Sequence, residues 1–236
     1  MGVPVRATAC DNKNSAEAGF TLVEIAIVLV IIGLLLGGIL KGQEMITQAK
    51  IKNVINDFNG ITAAINSYQD RYRALPGDDV NATSRWAGAF GGNGNGQFDG
   101  AAAAATAPEV YNNIPGAAPT AGTPEVNKFW WNLRLAGFVP GQTAAVAAAV
   151  IPPTNATGGI LGVQTGGMGF TSNIICSSNL PDKIAIAVDT QMDDATSTTG
   201  QVRGLLQTTG PNPPVATPTS AYAETGDNQY LLCKGL

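Results

Sequence analysis

The N-terminal part of the chain changes from a polar segment to a strongly apolar one. Residues 1–19 mix basic and acidic side chains, whereas the run from Ile25 to Leu40 contains no charged or polar side chain. Counted from Leu22, about 19 apolar residues are interrupted by Glu24 alone, which is roughly the length that a helix needs to cross a bilayer core. The pattern predicts one membrane-spanning helix that carries a single carboxylate near its start.

Beyond Leu40 the helical pattern continues with only one apolar face. Apolar residues recur at spacings of three and four, which is typical of an amphipathic helix. No proline occurs between Pro4 and Pro76, and Pro76-Gly77 ends the pattern. We therefore expect one helix from about Phe20 to Tyr72, roughly 80 Å long at 1.5 Å per residue. The stripe that would pack on a domain consists of Ile51, Val54, Phe58, Ile61, Ile65, Tyr68 and Tyr72.

The rest of the chain is rich in loops and contains a few short elements. Thr123 and Pro124 predict the start of a short helix that reaches Ala136, because Gly137 follows as a stop signal. The composition of residues 140–168 predicts irregular structure, within which Ala144–Val150 fits a short helix or strand. Short runs rich in β-formers predict strands, of which the second is the clearest: Phe170–Cys176, Lys183–Asp189, Gln201–Gln207 and Gln229–Cys233.

These elements together predict an α+β fold in which the long N-terminal helix packs on a small antiparallel β-sheet with long loops. Thr196–Gly200 fits a hairpin loop in that sheet, and Gly210–Ser220 fits a surface loop. The small pair Ala18-Gly19 precedes the apolar run, so a cut there would leave the apolar helix on the mature chain. The predicted domains are a leader peptide (1–19), a transmembrane helix (20–42), its amphipathic half (43–73) and a loop-rich head (74–236).

The composition weighs against catalysis and against nucleic-acid binding. The chain has no histidine, which removes the commonest general base and the commonest zinc ligand. The formal net charge is −4 and no broad basic region occurs, so bulk charge does not indicate a surface that follows phosphates. No carboxylate pair stands out as catalytic. We therefore expect a protein that is not an enzyme.

The three cysteines are divided by the apolar run. Cys10 precedes it, whereas Cys176 and Cys233 follow it at a distance. Removal of the N-terminal segment would leave one pair in the exported part, and an oxidising compartment would favour a Cys176–Cys233 disulfide. The alternative is two buried free thiols.

The N-terminal pattern resembles the type IV prepilin family, which includes the pseudopilins of type II secretion. The shared features are a polar leader that ends in Gly19, the sequence Phe20-Thr21-Leu22-Val23-Glu24, and an apolar helix that continues into an amphipathic half. This resemblance covers about Gly19–Tyr72 and implies a pilin fold. A less specific likeness to a loop-rich bacterial prepilin-like subgroup involves Leu75-Pro76-Gly77-Asp78-Asp79, the asparagine–glycine run and Trp130–Gly137.

The resemblance implies processing at the start of the helix. A prepilin peptidase would cleave between Gly19 and Phe20 and would methylate the new amine of Phe20. Glu24 matches the acidic residue that, in the family, pairs with the N-terminal amine of a neighbouring subunit during assembly. Such an ion pair in a dry helical core relieves the cost of burying both charges. The alternative is that Glu24 lies at the boundary of the lipid headgroups.

The function implied by the resemblance is that of a structural subunit of a type IV pilus or pilus-like filament. Its partners would be identical or related pilin subunits, prepilin peptidase and the assembly machinery of the bacterial inner membrane. The chain would cross that membrane once, with its head outside the cytoplasm, before it enters an extracellular or periplasmic filament. Lys41 stands where many pilus-forming members carry a proline, so major pilin, minor pilin and pseudopilin all stay open.

A second function class does not involve a filament. The same single span would anchor an adhesin-like surface binding protein that does not polymerise. Processing distinguishes the two classes, because a fixed anchor needs no cut after Gly19.

One loop offers oxygen ligands for a hard cation, and calcium takes six to eight oxygens. Pseudopilins of secretion systems can bind calcium in a loop, so the resemblance favours such a site. A plain surface loop rich in glycine and asparagine is the alternative, because the run lacks the full EF-hand ligand order. The candidate ligands are Asp78, Asp79, Asn93, Asn95 and Asp99.

The three tryptophans allow two interpretations. Trp86, Trp130 and Trp131 would form either a surface for a carbohydrate or a partner, or part of the core. Core packing is favoured because Trp130 lies on the apolar face of the predicted short helix.

Overall fold

The structure is a computed structural model that describes residues 20–98 and 110–236. The chain divides into two compact units, Met1–Met45 and Ile46–Leu236. Helix α1 runs from Leu22 to Tyr72, so its first part belongs to the first unit and its remainder to the second. All other described helices and strands lie in the second unit.

Helix α1 confirms the long helix that the sequence predicts, with a start two residues later than Phe20. Glu24 lies in its first turn and Arg71 in its last turn, and both charges complement the helix macrodipole. The chain leaves the helix at Arg73, whose φ of 56° is left-handed, and Pro76 follows. The predicted stripe is buried from Ile51 to Tyr68, whereas Tyr72 at its end is half-buried.

The second unit adds a short helix α2 (Ala82–Arg85), helix α3 (Glu125–Leu135), strand β1 (Leu161–Gly167), strand β2 (Phe170–Pro181), helix α4 (Asp182–Met192), strand β3 (Val202–Leu206) and strand β4 (Gln229–Gly235). A single turn of 3₁₀-helix covers Ala147–Ala149. Helix α3 begins after Pro124 and ends before Ala136, as predicted.

The four strands form one antiparallel sheet in the order β1-β2-β4-β3. Neighbouring residues along a strand point to opposite faces of the sheet. Both faces are buried, since such neighbours belong to two different clusters of buried residues. Ile175 and Leu232 belong to the cluster that contains the α1 stripe and Phe129 of α3. Ile174 and Leu231 belong to a second cluster, which also contains Tyr111 and Met168 from the loops. The sheet therefore packs on helices at one face and on loops at the other, as an α+β fold with long loops requires.

Helix α3 is buried along almost its whole length and holds loops through its polar side chains. The Lys128 ammonium donates hydrogen bonds to the carbonyls of Gly91 (2.8 Å) and Ala121 (3.3 Å). The Arg134 guanidinium donates to the carbonyls of Ala149 (2.6 Å) and Ile151 (2.9 Å). Burial of the ammonium group lowers the pKa of Lys128. These two buried cations therefore hold the neighbouring segments to α3 through their backbone carbonyls.

The expected strand at Lys183–Asp189 is wrong, because these residues lie within helix α4. Their buried members are Ile184, Ala185, Val188 and Asp189, a helical spacing. The start signals of a helix were present just upstream, since Pro181 is the N-cap and Asp182 lies in the first turn. The Thr196–Gly200 loop consequently joins α4 to β3 and is not a hairpin loop between strands.

Strand β1 lies in a region that the sequence predicts as irregular. Its sequence, Leu-Gly-Val-Gln-Thr-Gly-Gly, contains three glycines, which disfavour strands when they are judged locally. Gly162 is required by a close approach, because a Cβ there would overlap with the carbonyl group of Tyr111. Tertiary packing, which local propensity does not report, therefore makes this segment a strand.

Candidate functional site

The start of α1 carries the predicted cleavage and assembly residues. Gly19 lies outside the described residues, and Phe20 is the first residue that the structure describes. Phe20 precedes the helix in non-helical backbone, and 82% of its surface is exposed. A bond on the N-terminal side of Phe20 therefore precedes the first helical turn.

Thr21 and Glu24 close the first turn of α1 by reciprocal hydrogen bonds. The Thr21 backbone N–H and hydroxyl both donate to Glu24 Oε2 at 2.8 Å, and the Glu24 N–H donates to Thr21 Oγ1 at 3.3 Å. This arrangement is a capping box, which satisfies N–H groups that have no partner within the helix. Both hydrogen bonds to the carboxylate use Oε2, and a carboxylate can accept further bonds at its other oxygen, Oε1.

The capping role of Glu24 was not predicted from the sequence. The signal was present, because Thr21-x-x-Glu24 immediately before an apolar run is the sequence pattern of a capping box. The carboxylate therefore has a local structural partner before any neighbouring subunit is considered.

Among the described residues of its own unit, nothing covers the apolar run of α1. Every residue from Phe20 to Leu40 is exposed, although the run consists of large aliphatic side chains. The helix is long and apolar enough to cross a membrane, with a mean hydropathy of 2.8 in its most apolar window. The polar surface resumes at an exposed Lys41–Glu44 ion pair of 2.9 Å. An exposed apolar surface of this extent needs lipid or protein around it.

Asp78 organises the asparagine–glycine loop by accepting backbone hydrogen bonds. Its Oδ1 accepts from Gly94 N–H (2.5 Å) and Asn95 N–H (3.1 Å), and its Oδ2 accepts from Gly96 N–H (2.7 Å). The side chain is buried. Gly92 passes so close that a Cβ there would overlap with the Asp78 backbone. The structure thus brings Asp78 against the loop as the sequence suggested, with its oxygens serving as the loop's internal acceptors.

Asp79 faces away from that loop and binds side chains instead. Its Oδ2 accepts hydrogen bonds from the Tyr68 hydroxyl (2.7 Å) and from the guanidinium of Arg85, and its Oδ1 accepts from Asn81 N–H (2.9 Å). The Asp79 side chain is fully buried, whereas Arg85 is a quarter exposed. The Tyr68–Asp79 hydrogen bond joins α1 to the start of the loop region, and the ion pair joins that start to α2.

The two asparagines form local turns within the loop. Asn93 Oδ1 accepts from Asn95 N–H at 3.0 Å, and Asn95 Oδ1 accepts from Gln97 N–H at 2.8 Å. Asp99 lies outside the described residues. Protein hydrogen bonds account for this loop geometry without an ion, and calcium binding by these residues stays a prediction.

The predicted disulfide is present between Cys176 and Cys233. The two residues are direct partners across β2 and β4, with 4.0 Å between their Cα atoms, and both are fully buried. The bond ties the two middle strands of the sheet together.

The tryptophans of α3 belong to the core. Trp130 and Trp131 are at most 1% exposed, which leaves them no surface for a carbohydrate. Trp86 is half-buried, with its ring centroid 5.4 Å from that of Tyr72. The core-packing interpretation is therefore the correct one for the two α3 tryptophans.

Comparison with protein families matches residues 14–40 to the prokaryotic N-terminal methylation motif. This motif is the signature of type IV prepilins and pseudopilins, and the match spans the Gly19–Phe20 junction and the apolar run. No curated protein and no solved structure matches the chain. The motif indicates a type IV pilin-like precursor that a prepilin peptidase processes, and it confirms the resemblance at the N-terminus.

Proposed function

We propose that this chain, which carries the N-terminal signature of type IV prepilins, is a structural subunit of a type IV pilus or pilus-like filament. The observation that carries the proposal is the coincidence of two features in one segment. Residues 14–40 match the methylation motif, and the apolar side chains of the described part of that segment are exposed.

Processing between Gly19 and Phe20 fits the local structure of the helix start. The capping box lies on the C-terminal side of that bond, so cleavage leaves both of its members on the mature chain. The cut creates a positive amine at Phe20, directly before the cap. A positive charge at a helix N-terminus is unfavourable next to the macrodipole, and a nearby carboxylate offsets it. Glu24 supplies that carboxylate.

Assembly follows from the exposed apolar surface of α1. In the membrane, lipid surrounds the side chains from Leu22 to Leu40; in a filament, helices of other subunits replace the lipid. The Glu24 carboxylate would then enter a dry environment, where it needs a positive partner. The amine of a neighbouring subunit provides that partner, and the pair sets the register between subunits.

The head is proposed to lie outside the cytoplasm. The supporting observation is the Cys176–Cys233 disulfide, because such bonds persist in oxidising compartments and are rare in the cytosol. On this proposal, the precursor spans the inner membrane once and waits there for extraction into an extracellular or periplasmic filament. The proposal assigns no catalytic residue.

A second candidate is the membrane-anchored binding protein, and a surface cleft of about 620 Å³ favours it. Hydroxyl and amide side chains dominate its lining, among them Thr62, Asn66, Gln69, Asn173 and Gln201. These neutral polar groups, together with the charged Lys234 in the same lining, suit a polar ligand. A binding role in the head is compatible with a filament, so processing and polymerisation decide between the two candidates.

The decisive experiment is mass spectrometry of the mature N-terminus with and without a prepilin peptidase, followed by electron microscopy of sheared surface fractions. We expect a chain that starts at N-methylated Phe20 only when the peptidase is present, and filaments that contain this chain. An unprocessed chain would contradict the proposal at its first step. A processed chain that never enters filaments would favour the anchored binding protein.

A further inference from the structure

The chain contains three asparagine–glycine pairs, which lie in two kinds of structure. Asn59-Gly60 lies inside helix α1, whereas Asn93-Gly94 and Asn95-Gly96 lie in the asparagine–glycine loop. All three asparagines are exposed. In such a pair the backbone nitrogen of the glycine can attack the side-chain amide of the asparagine, because glycine has no side chain that hinders the approach. The attack forms a cyclic imide and releases ammonia, so each pair is a candidate site of spontaneous deamidation.

Asp78 holds the proton that the attacking nitrogen of the Asn95-Gly96 pair must lose. The Gly96 N–H donates a hydrogen bond of 2.7 Å to Asp78 Oδ2. A general base has to lie within hydrogen-bond distance of the proton that it removes, and this carboxylate meets that requirement. The Asp78 side chain is buried, and its Oδ1 accepts hydrogen bonds from Gly94 N–H and Asn95 N–H. The base is therefore in position before any reaction begins.

The side-chain amide of Asn95 has a hydrogen-bond donor on the oxygen that would become negative. Asn95 Oδ1 accepts a bond of 2.8 Å from Gln97 N–H. This oxygen gains negative charge when the Gly96 nitrogen adds to Asn95 Cγ, and a backbone N–H that already points at it stabilises that charge. A Cβ at Gly96 would meet no atom within 4 Å, so the space beside the attacking nitrogen is open. The folded loop thus places a nucleophile, a base and an oxyanion donor around one amide.

The neighbouring pair Asn93-Gly94 has a less favourable version of this arrangement. The Gly94 N–H is shared between Oδ1 and the backbone carbonyl of Asp78. The Asn95 N–H, which would stabilise the oxyanion of Asn93, is likewise shared with Asp78 Oδ1. A Cβ at Gly94 would lie 2.7 Å from Val80 Cγ2, so this nitrogen is also more crowded.

The pair Asn59-Gly60 is held in the middle of a regular helix. Interior N–H groups of an α-helix donate to the carbonyl four positions earlier, so the Gly60 nitrogen has a partner other than a base. The helix would have to open before this nitrogen could attack. Because Asn59 is exposed as Asn95 is, it provides an internal reference that differs in structure and not in access to water.

We propose that Asn95 is a deamidation site of the folded head and that Asp78 is the general base of the reaction. Asp78 Oδ2 takes the proton of the Gly96 nitrogen while this nitrogen forms a bond to Asn95 Cγ. The proton passes to the side-chain nitrogen, the Cγ–Nδ2 bond breaks, and ammonia leaves. Water, which reaches this exposed loop, then opens the cyclic imide at either carbonyl and leaves an aspartate or an isoaspartate at position 95.

The product would change the polar cleft of the head. Asn95, Gly96 and Gln97 belong to its lining. A carboxylate at position 95 brings a second negative charge close to Asp78, and the two charges repel each other. The Gly96 carbonyl accepts a hydrogen bond of 2.9 Å from Asn173 Nδ2, so a change of the loop also reaches strand β2. The cleft of an aged chain would therefore differ in charge from that of a newly folded one, whether or not the chain enters a filament.

The test follows the full chain in detergent micelles over time at neutral pH, beside an identical sample that is unfolded in urea. Mass spectrometry of a pepsin digest, made at acidic pH where cyclisation is slow, locates the converted asparagines. In the folded chain Asn95 should convert at least about tenfold faster than in urea, because a positioned general base contributes about 10²-fold or more. The order in the folded chain should be Asn95, then Asn93, then Asn59. In urea the three rates should converge, because only the local sequence remains.

One variant and one control test the role of the base. Asp78→Asn keeps the size of the side chain and removes the base, so it should slow the conversion of Asn95 at least about tenfold. Asp227→Asn removes one charge from an exposed position of the same unit and should leave the rate unchanged. Circular dichroism shows whether each variant is folded. If Asp78→Asn does not fold, the comparison of folded and unfolded wild-type chain decides by itself.

Three outcomes would overturn the proposal. The first is a folded wild-type chain in which Asn95 converts no faster than in urea, or more slowly than Asn59, which would show that the hydrogen bonds of the loop protect the amide. The second is a folded Asp78→Asn variant that converts Asn95 at the wild-type rate. The third is an equal loss of rate in Asp227→Asn, which would indicate a general effect of charge.

Discussion

At the residue scale, Glu24 has two roles, one through its hydrogen bonds and one through its negative charge. Its hydrogen bonds with Thr21 cap α1, whereas its charge is the feature that assembly would use. Glutamine also serves in a capping box, but it carries no charge. The two tasks therefore respond to different substitutions.

We predict that Glu24→Gln keeps the membrane insertion and helical content of the wild-type chain but abolishes filaments, because the neighbouring amine loses its counter-charge. Thr21→Ala is the matched control, since it removes the two cap bonds of the Thr21 hydroxyl and keeps the carboxylate. It should still yield filaments. Membrane flotation, circular dichroism and electron microscopy provide the three readouts. Normal filaments from Glu24→Gln would contradict the ion-pair mechanism.

The Asp79–Arg85 pair makes a second prediction at this scale. Arg85→Met keeps the aliphatic volume beside the Tyr72 ring but leaves the buried Asp79 carboxylate without its cation. Because Asp79 retains two hydrogen bonds and Arg85 is partly exposed, we expect the free energy of unfolding to fall by about 2 kcal/mol, less than for a wholly buried pair.

The chain offers an exposed pair as a control for that change. Arg73 lies 3.8 Å from Asp70, and both side chains are more than four-fifths exposed. Arg73→Met should leave stability unchanged within error. Urea denaturation of both variants in the same detergent makes the comparison, and an equal loss in the two would argue against a special role for the buried pair.

The residues of the proposed N-terminal site follow from the sequence because they are neighbours in the chain. Phe20 and Glu24 are four positions apart, and the pattern around them is local. The burial of Asp189 was not predicted, since it depends on a hydrogen bond from Tyr222, which lies 33 positions away. The same limit applies to Asp79, whose partner Tyr68 belongs to α1.

At the element scale, the disulfide joins β2 to β4 across 57 positions of sequence. Its removal frees a long loop in the unfolded chain. We predict that Cys176→Ala together with Cys233→Ala lowers the free energy of unfolding by about 4 kcal/mol on the chain-entropy model. Urea denaturation with and without dithiothreitol measures the effect.

The wild-type chain should become less stable in reductant, whereas the double variant should not respond to it. A double variant with the midpoint of the oxidised wild type would refute the prediction. Alanine is the appropriate replacement, because both positions are fully buried and a hydroxyl group would need a partner there.

Elements with a strong period and clear end signals were predictable. Helix α1 has a continuous pattern that Pro76 ends, and α3 lies between Pro124 and Gly137. Strand β1 and helix α4 were missed for opposite reasons. The glycines of β1 have a low strand propensity, so only tertiary packing makes that segment a strand. The apolar residues of α4 alternate as in a strand, and the helix is recognised only from its start at Pro181 and Asp182.

At the scale of the whole molecule, the two units have different relations to their surroundings. The first unit exposes apolar residues and needs lipid or other helices, whereas the second buries its own core of helix, sheet and loop residues. The methylation motif at residues 14–40 lies wholly within the first unit.

The position of β4 in the sheet has a consequence for the order of folding during synthesis. β4 is the last strand in chain order, yet it lies between β2 and β3 and is the only strand that pairs with β3 among the described residues. Strand β3 must therefore wait for its partner until β4 has left the ribosome. On the proposed export of the head, the sheet stays incomplete until that last strand has crossed the membrane, and the translocating chain would be a substrate for chaperones and thiol oxidases until then.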